Sequence, residues 1–393
     1  MSIEVKIAKL IAKSDARRCS LIDLSLILSR FNFAKKFTVI TIAGTNGKGT
    51  TVAMLEELLV ANNKNVLSYT SPHVFKFNER ISFNKEAIDD STLLEILERL
   101  EELTSEYCLS YYQIAFLCFC MYSQRVHVDY VILEVGLGGR LDAVNIIDAD
   151  ITAITNIDFD HCEILGDTLE KIGLEKAGIL RSQVPVFLGS KMPQSVYDYA
   201  KTIGAHVYQP DYEYDSKLCF SHSYNIAMGI SEYLLYKRQI SYIPNFENIR
   251  ANARFTILKS DYFNNSYVVV DVAHNPASVM YLFKLLASTF VNKNIRYEAI
   301  FGILANKDLT AILNIAKKYI YKWEVVDLKY LDSRAADIEK IKQEFKSQQI
   351  IKVEYNKDLS SVYLSKKNTV TVVFGSFVLA GEFIKYYEKC NSK

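Results

Sequence analysis

The sequence predicts an α/β protein of two domains, the first with a largely parallel sheet around a phosphate loop, the second a smaller Rossmann-like unit. Three observations predict it. Short β-branched strands alternate with amphipathic helical segments along most of the chain, the rhythm of parallel sheets with helices between the strands. One of those strands, Val39 to Ala43, runs into Gly44-Thr45-Asn46-Gly47-Lys48-Gly49-Thr50 and then into helical spacing from Val52. The length of 393 residues exceeds one ordinary domain, and the rhythm breaks between Ile240 and Phe255, at Pro244, Asn245, Asn248 and Asn252. The expected domains are therefore 1–248 and 249–393.

Composition narrows the class. Half the residues are apolar and 23% are charged, which suits a soluble protein with large cores. A net charge of +1 provides no global field for nucleic acid or an acidic membrane, and neither is expected as a partner. The seven cysteines include no C-x-x-C pair, and Cys118 and Cys120 lie in an apolar run where they pack as small hydrophobes. A reducing cytoplasm is the expected compartment. Met1 to Lys6 carries no apolar signal core, and the run Ile114 to Tyr122 is too short to span a bilayer. A monomer is expected.

Taken in order, residues 1–36 read as helical and amphipathic, with Ile7, Leu10 and Ile11 on one stripe and Leu21, Leu24 and Leu28 on another. The glycine loop follows. Its glycines let backbone N–H groups approach anionic oxygens, the helix start adds about half a positive charge, and Lys48 supplies a mobile cation. A standard phosphate loop places a metal-binding hydroxyl directly after the lysine, but Gly49 stands there. Another oxygen must then hold the metal. Asn65 to Tyr69 reads as a strand that empties into the loop from Thr70 to Ile81, where Ser71 is the candidate oxygen. On composition alone, Ser71 is equally well a turn serine before Pro72.

Residues 89–106 read as a charged helix with a solvated face, and 111–125 as a buried aromatic one. Asp129 to Glu134 is an apolar strand ending in an acid and then glycines, the layout of a metal-binding carboxylate, with an ordinary edge carboxylate as the alternative for Glu134. Ile151 to Ile157 is a further strand leading to His161, a ligand or a solvated loop histidine. The helix expected from Glu163 onward carries Lys171, Glu175 and Lys176, the last read from its position as a surface lysine. Val184 to Leu188 is another strand, and 192–204 another helix. In the second domain, Tyr267 to Val270 leads into Asp271-Val272-Ala273-His274-Asn275-Pro276. Strands at Tyr297–Gly302, Trp323–Val326 and Thr369–Ser376 alternate with helices, their polar ends expected to face the first domain.

These segments together resemble the folylpolyglutamate synthase/dihydrofolate synthase family of the Mur ligase superfamily, from about residue 38 to 382. The markers stand in family order: Ala43 to Thr50, Thr70 to His73 with Asn78 to Arg80, Glu134 to Asp142, Asn156 to His161, Glu175 to Gly178, Asp271 to Pro276, and Phe301-Gly302 with Lys307-Asp308. The resemblance implies a Mur-ligase-like ATPase domain followed by a glutamate-ligase domain. It implies ATP held by Gly44, Thr45, Asn46, Gly47, Lys48, Gly49 and Thr50, with Asn225, Arg254 and Asp271 also in contact. It implies one or two Mg²⁺ ions on Ser71, Glu134 and His161, with Lys176 joining them if carbamylated. Lys48, Lys176, Asp271 and His274 would form the catalytic set, and Arg80, Tyr112 and Gln113 would meet the folate.

The sequence departs from the family pattern in places. Pro-Gly-Arg is Asn252-Ala253-Arg254, Phe-Glu near the pterin pocket is Tyr112-Gln113, Asp-Lys-Asp is Asn306-Lys307-Asp308, and the N-terminal Gly-Leu and Arg signature is missing. The implied reaction is ligation: ATP turns the carboxylate of dihydropteroate or a folate into an acyl phosphate, and L-glutamate captures it. Both ligase activities are expected. A Mur-type ligase acting on a UDP-linked peptide would carry a hydroxyl after the lysine, and a phosphate-loop switch or kinase would leave the Asp271/His274 loop unexplained.

Overall fold

The structure, a computed structural model, describes residues 2–12, 17–212, 221–235, 242–244, 253–259, 267–291, 295–362 and 369–391. The described residues form two units, one up to residue 244 and one from residue 253. The expected boundary at 248/249, with Asn245, Asn248 and Asn252, lies outside the described residues.

The first unit contains strands β1 (Arg17–Arg18), β2 (Thr38–Ala43), β3 (Val66–Tyr69), β4 (Ile81–Phe83), β5 (Glu86–Ala87), β6 (Tyr107–Cys108), β7 (Tyr130–Glu134), β8 (Ile151–Ile154), β9 (Pro185–Leu188) and β10 (His206–Tyr208). β1 and β6 pair in parallel by themselves. The other eight form one sheet in the order β10-β9-β8-β2-β7-β3-β4-β5, parallel from β10 to β3 and antiparallel at β4 and β5. β2 lies inside the sheet, so its run Val39-Ile40-Thr41-Ile42 is apolar toward both faces, as a doubly covered parallel strand requires. Val39 and Ala43 join a core that includes the helices Ile3–Ile11, Asp90–Leu103 and Tyr111–Ser123. Ile40 and Ile42 point the other way, into a core with the helices Lys48–Ala61 and Ser221–Leu235.

Register levels the strand ends that matter. Ile42 pairs with Glu134 of β7 and with Ala153 of β8, and Tyr69 pairs with Leu133. The loops leaving β2, β3, β7 and β8 therefore emerge together at the carboxyl edge, where open α/β sheets bind ligands.

The second unit contains β11 (Thr256–Lys259), β12 (Tyr267–Val270), β13 (Arg296–Phe301), β14 (Ile320–Val326), β15 (Val353–Asn356) and β16 (Thr369–Phe374), in the order β11-β12-β16-β13-β14-β15. Among the described strands of this sheet, β11 and β12 pair antiparallel and the other pairs are parallel. Its core is aromatic: Trp323 meets Phe345 edge-on at 5.1 Å and Phe301 at 5.6 Å.

Three expectations need correction. Residues 1–36 are not one helical stretch: β1 separates Ile3–Ile11 from Leu21–Arg30, and the second helix starts at a Ser20/Asp23 capping box. The helix expected from Glu163 through Lys176 is two, Cys162–Leu165 and Leu169–Ala177. Gly166 turns the chain at φ +108°, and Thr168 caps the second. The short strands β4, β5, β6, β10, β11 and β15 were not expected, and Asn84 and Lys85, at φ 51° and 74°, form the hairpin turn between β4 and β5.

Candidate active site

β2 leads into Gly44, where the chain comes so close to the end of β8 that an added Cβ would sit 1.9 Å from Thr155 Oγ1. The φ of +144° there also excludes other residues. The segment after β8 holds the loop. Thr45 N donates to Asn156 O at 2.9 Å, Asn46 N to Asn156 Oδ1 at 2.8 Å, and Thr155 Oγ1 to Asn46 O at 2.6 Å. Gly47, at φ +84°, caps the helix Lys48–Ala61 without a side chain, so the cap position is open to an anion. Ser223 Oγ donates to Gly47 O at 3.2 Å from the neighbouring helix, which also carries Asn225. Thr50 is buried in the first turn.

Two lysines converge on the loop. Lys48 Nζ donates to Gly44 O at 3.0 Å and Thr45 O at 3.3 Å, and Lys176 Nζ donates to the same Gly44 O at 3.0 Å. Lys176 is only 4% exposed, so the surface reading is wrong. Its helix turns Leu169 and Leu174 outward and the lysine inward. Burial pushes the amine down to about 7, Lys48 pushes it further the same way, and Asp160 and Asp142 oppose both.

Across β2, Glu134 is buried at the end of β7, and its Oε2 accepts from Ser71 N at 3.0 Å. A Cβ on Gly49 would stand 3.6 Å from each carboxylate oxygen, so the position that carries the hydroxyl in a standard loop faces Glu134 here. Ser71 and Glu134 thus offer oxygen donors beside an anion-binding helix start, a donor set that suits Mg²⁺. His161 lies on the loop after β8, on the other side of β2 from Glu134. It takes a left-handed backbone (φ 53°) at the start of Cys162–Leu165, and its N donates to Asp160 Oδ1 at 2.9 Å. Among the described residues no group of three or more His, Cys, Asp or Glu side chains gathers as a ready metal centre, so substrate oxygens would have to complete the shell.

The residues expected to meet folate lie toward β3 and β7. Tyr112 Oη donates to Asp142 Oδ1 at 2.8 Å and accepts from Gly136 N at 3.0 Å. Asp142 also receives Leu137 N at 2.9 Å and Val144 N at 3.1 Å, so this pair fixes the glycine turn after β7. Gln113 Oε1 accepts from Ser110 N at 2.9 Å, and its Nε2 donates to Cys19 O at 3.0 Å, tying the N-terminal segment to the helix. Arg80 is buried, its Nε donating to His73 Nδ1 at 2.9 Å.

In the second unit, Asp271 follows β12 and accepts Phe255 N at 2.8 Å and Ala273 N at 2.7 Å. Burial pushes its carboxyl up, and Arg254 with those two N–H groups holds it back. Arg254 lies over the Phe377 ring at 5.3 Å, and His274 packs against the same ring at 5.8 Å while Nδ1–H donates to Val272 O. The roles of Thr155, Asn156, Ser223 and Asp142 escaped sequence reading. An asparagine two residues past a strand was the one visible signal among them.

Residues 42–188 match the Mur ligase middle domain and residues 253–377 the Mur ligase glutamate ligase domain. The dihydrofolate synthase/folylpolyglutamate synthase of Buchnera aphidicola subsp. Acyrthosiphon pisum is 32% identical, covering 96% of this chain and 96% of its own. The protein of the same name from Escherichia coli is 33% identical over 76% of this chain and 75% of its own. Among solved structures, E. coli FolC in complex with DHPP and ADP superposes with a TM-score of 0.85 at 26% identity, covering 99% of this chain and 98% of that one. The bifunctional folylpolyglutamate synthase/dihydrofolate synthase with Mn, AMPPNP and L-glutamate bound superposes with a TM-score of 0.84, also at 26% identity and with the same coverage.

Proposed function

Because the chain belongs to the folylpolyglutamate synthase/dihydrofolate synthase family of the Mur ligases, we propose that it joins L-glutamate to the carboxylate of dihydropteroate or a folate, driven by ATP. The observation that carries this reading is the convergence at the end of β2. An open helix cap, the Lys48 ammonium and the Glu134 carboxylate meet around Gly49.

Each residue then has a task. The amides of Gly44 to Gly49 and the first turn at Thr50 hold the phosphates, and Lys48 leaves the loop carbonyls to meet the charge that grows on the transferring group. Ser71, Glu134 and His161 would hold Mg²⁺, which would supply positive charge against the phosphates when bound. The near-neutral amine of Lys176 is suited to carbamylation, which would add a carboxylate for a second ion. Asn225 would contact the nucleotide in the first unit, and Arg254, Asp271 and His274 nucleotide or glutamate in the second. Arg80, Tyr112 and Gln113 would line the folate side, Tyr112 and Gln113 through the segments they anchor.

A free carboxylate is a poor acyl electrophile, so phosphoryl transfer to it comes first. The glutamate amine then attacks the acyl phosphate, and the tetrahedral adduct expels phosphate to leave an amide. Water must be kept out during that interval. The reading takes the chain as a cytoplasmic monomer without nucleic-acid or membrane partners; its net charge of +1 supplies no global field for a polyanion. The test is incorporation of radiolabelled glutamate into dihydropteroate and tetrahydrofolate, side by side. Sustained phosphate release with neither acceptor present would instead identify an ATPase.

A further inference from the structure

Resting on the ligase reading above, we infer that Arg80 receives the α-carboxylate of an acceptor that already carries glutamate, and that His73 is the positioning residue that aims it. Arg80 ends the turn Phe77–Arg80 before β4 and is 7% exposed. A buried guanidinium ordinarily has an acid beside it, because an unpaired charge out of water is costly. Arg80 has none: among the described residues, no carboxylate pairs with it. Its neighbour Glu79 is engaged elsewhere, accepting from the N–H groups of Val74, Phe75 and Lys76 at 3.0, 2.8 and 2.6 Å. What surrounds the cation is aromatic. The Tyr111 ring lies at 5.0 Å and the Phe77 ring at 6.0 Å, contacts that offset only a small part of the desolvation.

The orientation is fixed from one side. Arg80 Nε donates to His73 Nδ1 at 2.9 Å, so the imidazole is neutral at that nitrogen and the planar fork cannot rotate freely. Nε is engaged by His73, and the Tyr69 hydroxyl also accepts from the guanidinium. The terminal N–H groups beyond that contact are the ones left to face a planar anion, and a carboxylate matches them.

Position says which carboxylate. Thr70 N donates to Arg80 O at 3.0 Å, and His73 lies two residues beyond Ser71, so the guanidinium belongs to the loop that faces Glu134. The carboxylate that is phosphorylated must meet the phosphates beside Lys48, and an arginine on it would withdraw charge from the nucleophile. Arg80 therefore suits a second anion on the same molecule, a few bonds away. A folate whose γ-carboxylate reacts has such a group, its α-carboxylate. Dihydropteroate, with a single carboxylate, has none.

The experiment compares wild type, Arg80→Met, His73→Phe and His73→Asn for kcat and KM with dihydropteroate and with tetrahydrofolate. It also measures binding of pteroate and pteroylglutamate without ATP. Arg80→Met should lower the tetrahydrofolate-to-dihydropteroate ratio of kcat/KM roughly 10- to 100-fold, mainly through KM, as expected for loss of charge-assisted bonds. The preference for pteroylglutamate over pteroate in binding should fall with it. His73→Phe should shift the ratio in the same direction, and His73→Asn, which keeps an acceptor near the Nδ1 position, should restore most of it. An equal loss for both acceptors, or a larger one for dihydropteroate, overturns the assignment. Should Arg80→Met fail to fold, the two His73 variants decide by the same ratio. A wild-type protein that ligates neither acceptor would sink the ligase reading itself, while the binding comparison would still judge Arg80.

Discussion

Lys48 and Lys176 donate to one and the same oxygen, the carbonyl of Gly44, each at 3.0 Å. Two ammonium groups that close, one of them buried, cannot both remain charged without cost. The yielding partner is Lys176: burial first, and the Lys48 charge second, lower its pKa to about 7. The loop carbonyl of Gly44 thus meets the Lys48 side chain and an amine, that of Lys176, lowered to about 7.

That amine should take up CO₂. At pH 8 most of Lys176 is unprotonated, so ¹³C-bicarbonate should produce a carbamate carbon signal in the wild type that Lys176→Ala lacks. The signal should fade as the pH drops through 7. Short carboxylic acids should restore part of the activity of Lys176→Ala, and no rescue with no carbamate signal would remove that role.

Stability should carry the same mark. The unfolded lysine titrates near 10.5 and the folded one near 7, so between those values the unfolded state binds more protons and stability rises with pH. Below pH 7 the cost of burying the ammonium stands in full, on the order of several kcal/mol. Lys176→Met should therefore raise Tm at pH 6 and flatten the slope from pH 7 to 10, measured by calorimetry. An unchanged slope would mean that Lys176 is not the group responsible.

Gly44 should tolerate no side chain. An added methyl would overlap Thr155 Oγ1 at 1.9 Å, and removing that hydroxyl leaves the φ of +144° unrelieved. Gly44→Ala should lose nucleotide binding and several degrees of Tm, and Gly44→Ala with Thr155→Ala should recover only part. Gly49→Ala, whose methyl would meet Glu134 at an ordinary 3.6 Å, should keep its Tm; both are read by thermal melts with and without ATP.

Glu134→Gln keeps the size of the side chain and an acceptor for Ser71 N but removes the charge. The Mg²⁺ concentration for half-maximal activity should rise at least roughly tenfold, with His161→Ala shifting it in the same direction. An unchanged metal dependence in a metal titration of activity would clear both residues of ligand duty.

The phosphate loop was legible because its demands are local: a β-branched strand, glycines where backbone must approach an anion, and a helix at once. Glu134 stood out for a similar reason, as an acid closing an apolar run, whereas Asp271 was singled out only through the family resemblance. Lys176 was not legible as a buried residue. Its helix exposes Leu174 at 45% and buries the lysine, the reverse of what hydropathy suggests, and so sets the amine against Gly44 O. Nor was the hold of Thr155 and Asn156 on the loop, since it depends on β2 and β8 being neighbours although more than 100 residues apart. β5 and β15 are short edge strands and β4 is a three-residue strand beside β5, and such short, mixed sequences carry little period-two signal.

The central claim is that an acyl phosphate forms on the acceptor at the loop of Lys48. Its most direct test uses dihydropteroate labelled with ¹⁸O in the carboxylate, ATP and L-glutamate, followed by mass spectrometry of the released phosphate. The account predicts one ¹⁸O in each phosphate released by the wild type, and no labelled phosphate from Lys48→Ala. Amide product accompanied by unlabelled phosphate would contradict it.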